Sequence, residues 1–298
     1  MTALSSDATA CPLCGCDGDP MFQIDGIPVL ECMQCKHRYA GIVPQADHVR
    51  VHYNDDYFFA GKAGYSDYLA SEDLLRRQGK WYARLLQQRA IGQPQKSLFA
   101  IGAAAGFDID EFRNAGWSVS GVEPNDTMAR HARERIGIDI QTGTLESVHV
   151  TQTYDVVMAI QVLAHFTDPQ VAAQQLAGLV RPGGYLLVET WDYRSRVATC
   201  FGRYWHEYSP PTVLQWFSKT SLISLMKRHG LEVAGSGKPA KRIGGAHARS
   251  LLEYKLSQMP LSSVTKMMLK MIPKNLALRY PGDDLFWMLF RKSHSDAR

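Results

Sequence analysis

Ser97-Leu98-Phe99-Ala100-Ile101-Gly102-Ala103-Ala104-Ala105-Gly106-Phe107 is the stretch on which the fold turns. Its first five residues form a short apolar run of strand type, and the next five are small enough to turn tightly. Phe107 then opens a helical segment that runs to Ala115. Small side chains at such a turn let backbone N–H groups and a helix N-terminus come close to a ligand. The following strand-like run, Trp117 to Val122, ends in Glu123-Pro124, with Glu123 17 residues past Gly106. A carboxylate at that point can accept both hydroxyls of a ribose.

The same alternation continues outward. Asp126 to Ile136 reads as a helix, Ile138 to Gln141 as a short strand and Tyr154 to Ile160 as a fourth strand. Pro169 to Val180 is a helix, Arg181-Pro182-Gly183-Gly184 a turn and Tyr185 to Glu189 a fifth strand. Strands alternating with helices predict a doubly wound α/β architecture, a mostly parallel sheet covered on both faces. Ligands of such sheets bind outside the C-terminal strand ends, at the point where strand order reverses.

Taken in order, Ala100-Ile101-Gly102-Ala103-Ala104-Ala105-Gly106, Gly121-Val122-Glu123-Pro124, Tyr154-Asp155-Val156-Val157 and Arg181-Pro182-Gly183-Gly184 resemble the motifs of class I S-adenosylmethionine (SAM)-dependent methyltransferases, over about residues 96 to 235. The resemblance implies a Rossmann-like sheet of seven strands, with Leu231 to Val233 and Asp284 to Arg291 as the last two. It implies that Gly102, Ala104 and Gly106 line SAM, that Glu123 holds its ribose, that Thr144 and Leu145 flank the adenine and that Ile160 and Gln161 lie near the methionine moiety. Two positions depart from the pattern: Ala100 stands where the family usually has an acid, and Ala104 where it has its second glycine. That departure keeps a non-catalytic SAM-binding scaffold as an alternative. A dinucleotide-binding reading fits less well, because G-x-x-x-G replaces G-x-G-x-x-G.

Five of the six cysteines fall within the first 35 residues. Cys11-Pro12-Leu13-Cys14 and Cys32-Met33-Gln34-Cys35 are two CxxC knuckles, each placing two thiolates on one side of a tight loop. Facing each other they make a tetrahedral S₄ site suited to Zn²⁺, with Cys16 and His37 near enough to substitute. An Asp25-Gly26 turn between apolar residues predicts a hairpin joining the knuckles, and so a zinc ribbon. With all four positions filled by Cys the expected zinc is structural. A redox dithiol is the rival reading, weakened because no strand-then-helix pattern sets either pair at a helix N-terminus.

The predicted organisation is a zinc ribbon over residues 1–45, a helical, aromatic-rich connector or cap over 46–95, and a SAM-dependent methyltransferase domain over 96–298 with a helical insert at about 239–282. The aromatics of the connector, Tyr53, Tyr57, Phe58, Tyr65 and Tyr68 among them, are read as core.

Methyl transfer to oxygen or carbon needs positioning and a base within hydrogen-bond reach. Two loops at the ligand edge supply candidates: His165 in Val162-Leu163-Ala164-His165-Phe166-Thr167-Asp168, and His206 and Glu207 in Tyr204-Trp205-His206-Glu207-Tyr208, where Tyr204, Trp205 and Tyr208 are expected to shape the pocket. These segments are also similar to deoxysugar C-methyltransferases, which pair a zinc module with a SAM domain. Ala164-His165-Phe166-Thr167-Asp168 matches their A-H-x-x-D, while Trp205-His206-Glu207-Tyr208 matches their Y-H-E-H only at its centre. The expected reaction is therefore methylation of a hydroxyl, or an activated carbon, of a small-molecule or sugar/glycan-type acceptor.

The 298 residues are 45% hydrophobic and 21% charged, an ordinary globular composition. No apolar run is long enough for a membrane span or a signal peptide, so the expected location is cytoplasmic. From Lys238 onward there are 12 Lys+Arg against 4 Asp+Glu. That skew suits an anionic partner and raises an RNA methyltransferase as a second reading. Residues 11 to 35, however, carry no Lys or Arg, contrary to the footprint of a nucleic-acid grip. Lys266, Lys270 and Lys274 beside methionines of a helix predicted over Ser250 to Ile272 are compatible with a membrane surface as well as with a lid over the pocket. Oligomeric state leaves no trace in the sequence.

Overall fold

The computed structural model describes residues 10–45, 47–59, 67–89, 91, 96–148, 150–244, 277–280 and 282–293. The helix expected over Ser250 to Ile272, and Tyr65, lie outside the described residues.

The chain opens with β1 (Gly18–Ile24), β2 (Ile27–Cys32) and β3 (Arg38–Ala40). Ile24 pairs with Ile27 across Asp25-Gly26, both at positive φ (47° and 81°). This is the two-residue hairpin turn that the Asp-Gly pair favours. Two short helices follow, α1 (His48–His52) and α2 (Asp55–Phe59), then the longer α3 (Glu72–Gln88), which buries Gly79, Tyr82, Ala83 and Leu86. Gly79 is a packing necessity, since a Cβ there would stand 2.1 Å from the Asp108 carbonyl.

Strands and helices then alternate: β4 (Ser97–Ile101), α4 (Phe107–Asn114), β5 (Ser118–Glu123), α5 (Asp126–His131), β6 (Asp139–Thr142), β7 (Tyr154–Ile160), α6 (Pro169–Leu179) and β8 (Val180–Trp191). Next come α7 (Arg196–Phe201), β9 (Gln215–Trp216), α8 (Lys219–Arg228) and β10 (Leu231–Gly237). A small pair, β11 (Arg242–Gly244) and β12 (Ala277–Arg279), precedes β13 (Leu285–Lys292). Seven strands form one sheet in the order β10-β13-β8-β7-β4-β5-β6. The pairs from β8 to β6 are parallel, and β13 is antiparallel to both β8 and β10. Strand order therefore reverses between β4 and β7. That is where the crevice of a doubly wound sheet opens.

One expectation changes. The Arg181-Pro182-Gly183-Gly184 turn lies inside β8, which already pairs at Val180 with Tyr154 and resumes at Tyr185 opposite Val156. The four residues form an irregular loop-out, pinned because Arg181 Nε donates to buried Asp155. β9, from the second half of the chain, adds to β1, β2 and β3, giving a second sheet ordered β1-β2-β3-β9.

Candidate functional site

β4 delivers Gly102 to the switch point. There φ is +66°, and a Cβ would lie 2.4 Å from Val162 Cγ1, so only glycine lets these loops approach. The Gly102 and Ala103 amides donate to the Val122 carbonyl (2.9 and 3.0 Å), tying the turn to the end of β5. Glu123, 3% exposed, accepts from the Ala104 amide at 2.8 Å through one oxygen and from the Asn125 amide at 2.9 Å through the other. Burial outweighs these two hydrogen bonds and pushes its carboxyl up to about 7. Ala104 itself sits at φ +44°, a left-handed position that an L side chain adopts only under constraint.

A cavity of about 330 Å³ opens from this turn. Gly102, Ala104, Glu123, Thr144, Leu145, Ile160 and Gln161 all line it, as does Ala100. Gly106 does not: it caps α4 at φ +79°, and its missing Cβ makes room for Ala132 and Ile138. The connector aromatics do pack as core, with Phe58 and Tyr68 buried in one cluster and Tyr57 against it, and Tyr53, Tyr57, Phe58 and Tyr68 line the cavity as well.

Sequence reading missed a polar group set beside Gln161. Glu189, fully buried near the end of β8, accepts from Gln161 Nε2 (2.6 Å), from Gln78 Nε2 (2.8 Å) and from the Tyr82 hydroxyl. Gln161 Oε1 in turn accepts from Lys241 Nζ at 3.1 Å, an ammonium that also lies 4.9 Å from the centre of the Trp191 ring and that burial makes easier to deprotonate. Gln78, Asp108, Trp191 and Lys241 line the cavity with Gln161. Burial raises Asp108 to about 6. Only Asp108 was within reach of local reasoning, as a first-turn acid after the glycine-alanine turn.

The three candidate bases all face the cavity. His165 Nδ1 contacts the Thr212 carbonyl at 3.0 Å, and the Gln161 carbonyl is a further partner. Two carbonyls and a T-shaped contact with Tyr53 make this ring a clamp between loops. Burial lowers its pKa. The same motif's Asp168 caps α6 through the Gln170 and Val171 amides. His206 lies 3.4 Å from Glu207 through Nε2 and 3.8 Å from Asp284 Oδ2 through Nδ1. Trp205 and Tyr208 are buried behind the cavity, and Tyr204 too is outside its lining, so none of the three shapes the wall as expected.

At the N-terminus the Cys11, Cys14, Cys32 and Cys35 sulfurs all lie within 4.8 Å of one another. Neighbouring sulfurs stand 3.4 to 3.6 Å apart, and the Leu13 and Cys35 amides donate to Cys11 and Cys32. Burial raises Cys14, but hydrogen bonds from the Cys16 backbone and the neighbouring thiols outweigh it and bring it down to about 7. Burial pushes Cys35 up to about 11. The two substitutes are spoken for elsewhere: Cys16 turns to Gln34, and buried His37 contacts Gln215 Oε1 at 2.9 Å. Gln215 Nε2 reaches the Phe166 carbonyl, and Arg38 reaches the Tyr208 hydroxyl at 2.6 Å, so the ribbon bolts onto both loops that carry the candidate bases.

A family model described as a methyltransferase domain matches residues 73–235. Over 98 residues the chain is 30% identical to a ubiquinone biosynthesis O-methyltransferase of Rhodopseudomonas palustris, covering 31% of this chain and 39% of that protein. A protein of the same name from Actinobacillus pleuropneumoniae is 30% identical over 116 residues, 35% of this chain and 50% of its own. The chain thus spans half or less of the length of these curated relatives. Among solved structures, magnesium protoporphyrin IX methyltransferase of Synechocystis, with bound S-adenosylhomocysteine (SAH), superposes at a TM-score of 0.53 with 12% identity, covering 82% of this chain and 100% of that one. The YcgJ protein of Bacillus subtilis superposes at 0.51 with 14% identity, covering 71% and 97%. At such identities these structures speak for the fold.

Proposed function

The chain belongs to the methyltransferase-domain family and is a SAM-dependent methyltransferase, and on that premise we propose that its acceptor is a hydroxyl of a small molecule. The observation that carries the reading is Glu123. Each of its oxygens accepts one fixed amide and keeps acceptor capacity for the cavity, which suits a ribose diol. SAM, when bound, supplies an activated methyl group on a sulfonium.

Residues of this chain hold and orient that donor. Gly102 and Ala104 bring backbone close to it, Thr144 and Leu145 flank the adenine, and Ile160 and Gln161 border the methionine end. Gly106 supports this set through the start of α4. Asp108 and Gln78 supply acceptor groups that Ala100 does not. On the acceptor side Glu207 and His206 take up the hydroxyl proton, and His165 fixes the loop between them and Gln161. The names of the curated relatives favour a hydroxyl on a small molecule; a sugar belongs to the same class of acceptor.

The four-cysteine site is read as a structural Zn²⁺ site. Tetrahedral S₄ coordination at about 2.3 Å per Zn–S bond sets sulfurs about 3.8 Å apart, near the observed spacing. Four Cys ligands leave no open position, so the ribbon (residues 1–45) serves as a brace for the domain, in a compartment that keeps thiols reduced.

The test is SAH release with SAM as donor across panels of phenols, quinols and sugars. Turnover with a hydroxyl acceptor that Glu123→Gln loses supports the reading; turnover that Glu123→Gln leaves intact contradicts it.

A further inference from the structure

Asp284 takes no part in the SAM end of the site, yet it is buried completely at the entry of β13. Its backbone is fixed by the Asp192 amide, which donates to the Asp284 carbonyl at 2.6 Å, and by pairing of Leu285 with Trp191. Its side chain gathers Trp205 and His206 from one distant loop and Tyr280 from just before its own strand. Oδ2 accepts from Trp205 Nε1 at 2.8 Å and stands 3.8 Å from His206 Nδ1, while Oδ1 accepts from the Tyr280 hydroxyl at 2.8 Å. Burying a carboxylate costs several kcal/mol unless charge and hydrogen bonds compensate it. Two neutral donors meet that demand only in part. Two ionisable bases lie near the carboxylate: Lys241, whose charge it favours, and His206, whose ring is set edge-on to Trp191 (4.6 Å) and Trp205 (5.7 Å).

We propose that Asp284 is a positioning residue for proton transfer: it takes the Nδ1 edge of His206 (3.8 Å) and so leaves Nε2 beside Glu207 (3.4 Å), where both residues line the cavity. This rests on the hydroxyl-methylation reading above. In the step concerned the acceptor O–H bond breaks, its proton is taken by His206 Nε2, and the electron pair stays on the oxygen that receives the methyl group. The imidazolium so formed lies between Asp284 and Glu207, two carboxylates that favour the charged ring. Tyr280 donates its hydroxyl to Asp284, and burial beside that carboxylate raises its pKa, so it stays a donor. Among the described residues, charged and titratable groups facing His206 include Glu207 beside it, Asp284 and Tyr280 from the approach to β13, and Lys241 across Trp191.

The test is NMR of the full-length protein carrying ¹³C,¹⁵N-histidine, with the His206 signals assigned by their loss in His206→Gln. In the wild type, neutral His206 is expected as the Nδ1–H tautomer. Asp284→Asn is expected to lower its pKa by about one unit or more, the effect of removing one nearby opposite charge. Tyr280→Phe, which keeps the carboxylate, should leave that pKa close to wild type. An Nε2–H tautomer in the wild type, an unmoved titration in Asp284→Asn, or an equal drop in Tyr280→Phe overturns the proposal. The tautomer reading needs no variant to fold. SAH binding by the same samples is scored separately: a wild type that fails to bind SAH defeats the methyl-transfer reading, and the tautomer still decides on Asp284.

Discussion

At the scale of single residues, the protonation of Glu123 links stability to function. Its carboxyl is held up to about 7 by burial, against an ordinary value of 4.5. Between those values the folded chain keeps a proton that the unfolded chain has released, so this group's contribution to stability falls as pH rises through that window. At about 1.36 kcal/mol per unit, wild type should lose about 3 kcal/mol relative to Glu123→Gln between pH 4.5 and 7. Denaturant unfolding of both proteins at the two ends of the window reads this difference; parallel pH profiles would show that the site is solvated. Glu123 was legible in the sequence because strand, turn and acid are local to one βαβ unit. Asp284, Tyr280 and Lys241 were not, because tens of residues separate them from the His206 loop: pairing of β13 with β8 brings in Asp284, and the Tyr280 amide, donating to the Lys241 carbonyl, brings in Lys241. Gly106 stands apart from the cavity lining because Ala132 and Ile138 pack against it, a contact that the motif itself does not encode.

At the scale of elements, the segment that carries the four cysteines is tied to the rest of the fold. β3 pairs with β9, the Ala40 amide donates to the Leu214 carbonyl, and Gln170 and Arg228 both reach the Leu13 carbonyl between the first two cysteines. On the proposed reading of the four cysteines as a Zn²⁺ site, so small a module would draw folding energy from its metal. Removing the metal with a strong chelator should therefore lower the Tm of the whole chain and loosen the 205–217 loop, seen as faster amide exchange at Ala40 and Trp216. A Tm unchanged by chelation, with no metal found by elemental analysis, would leave the knuckles without a structural ion. The knuckles and the Asp25-Gly26 hairpin were readable from spacing alone. Their docking was not, because β9 is two residues of unremarkable sequence, Gln215 and Trp216, whose strand character exists only through its partner. The loop-out at Arg181 to Gly184 shows the same limit: composition announces a bend, and the neighbouring strand decides that pairing resumes beyond it.

At the scale of the whole molecule, the cavity is walled by parts that the sequence reading kept separate. The connector contributes Tyr53, Tyr57 and Gln78, the sheet contributes Glu123 and Gln161, and the approach to β13 contributes Tyr280. Asn125 fastens the connector across the cofactor edge by donating to the Tyr53 carbonyl and to Asp55. The helix α3 is clamped to the sheet through Gln78, Tyr82 and buried Glu189. The residues proposed for the donor and for the acceptor therefore line one cavity, as transfer between two bound molecules requires. Among the described residues no helix is long and apolar enough to cross a membrane.

The claim beneath all of this is that the turn at Gly102 to Ala104 and the carboxylate of Glu123 hold one adenosyl group. Calorimetric titration of the full chain with SAH tests it most directly. The account predicts one site per chain in the wild type and at least about tenfold weaker binding in Glu123→Gln, the loss of a hydrogen bond to a charged acceptor. Equal affinity in the two proteins, or no heat of binding in the wild type, would contradict it.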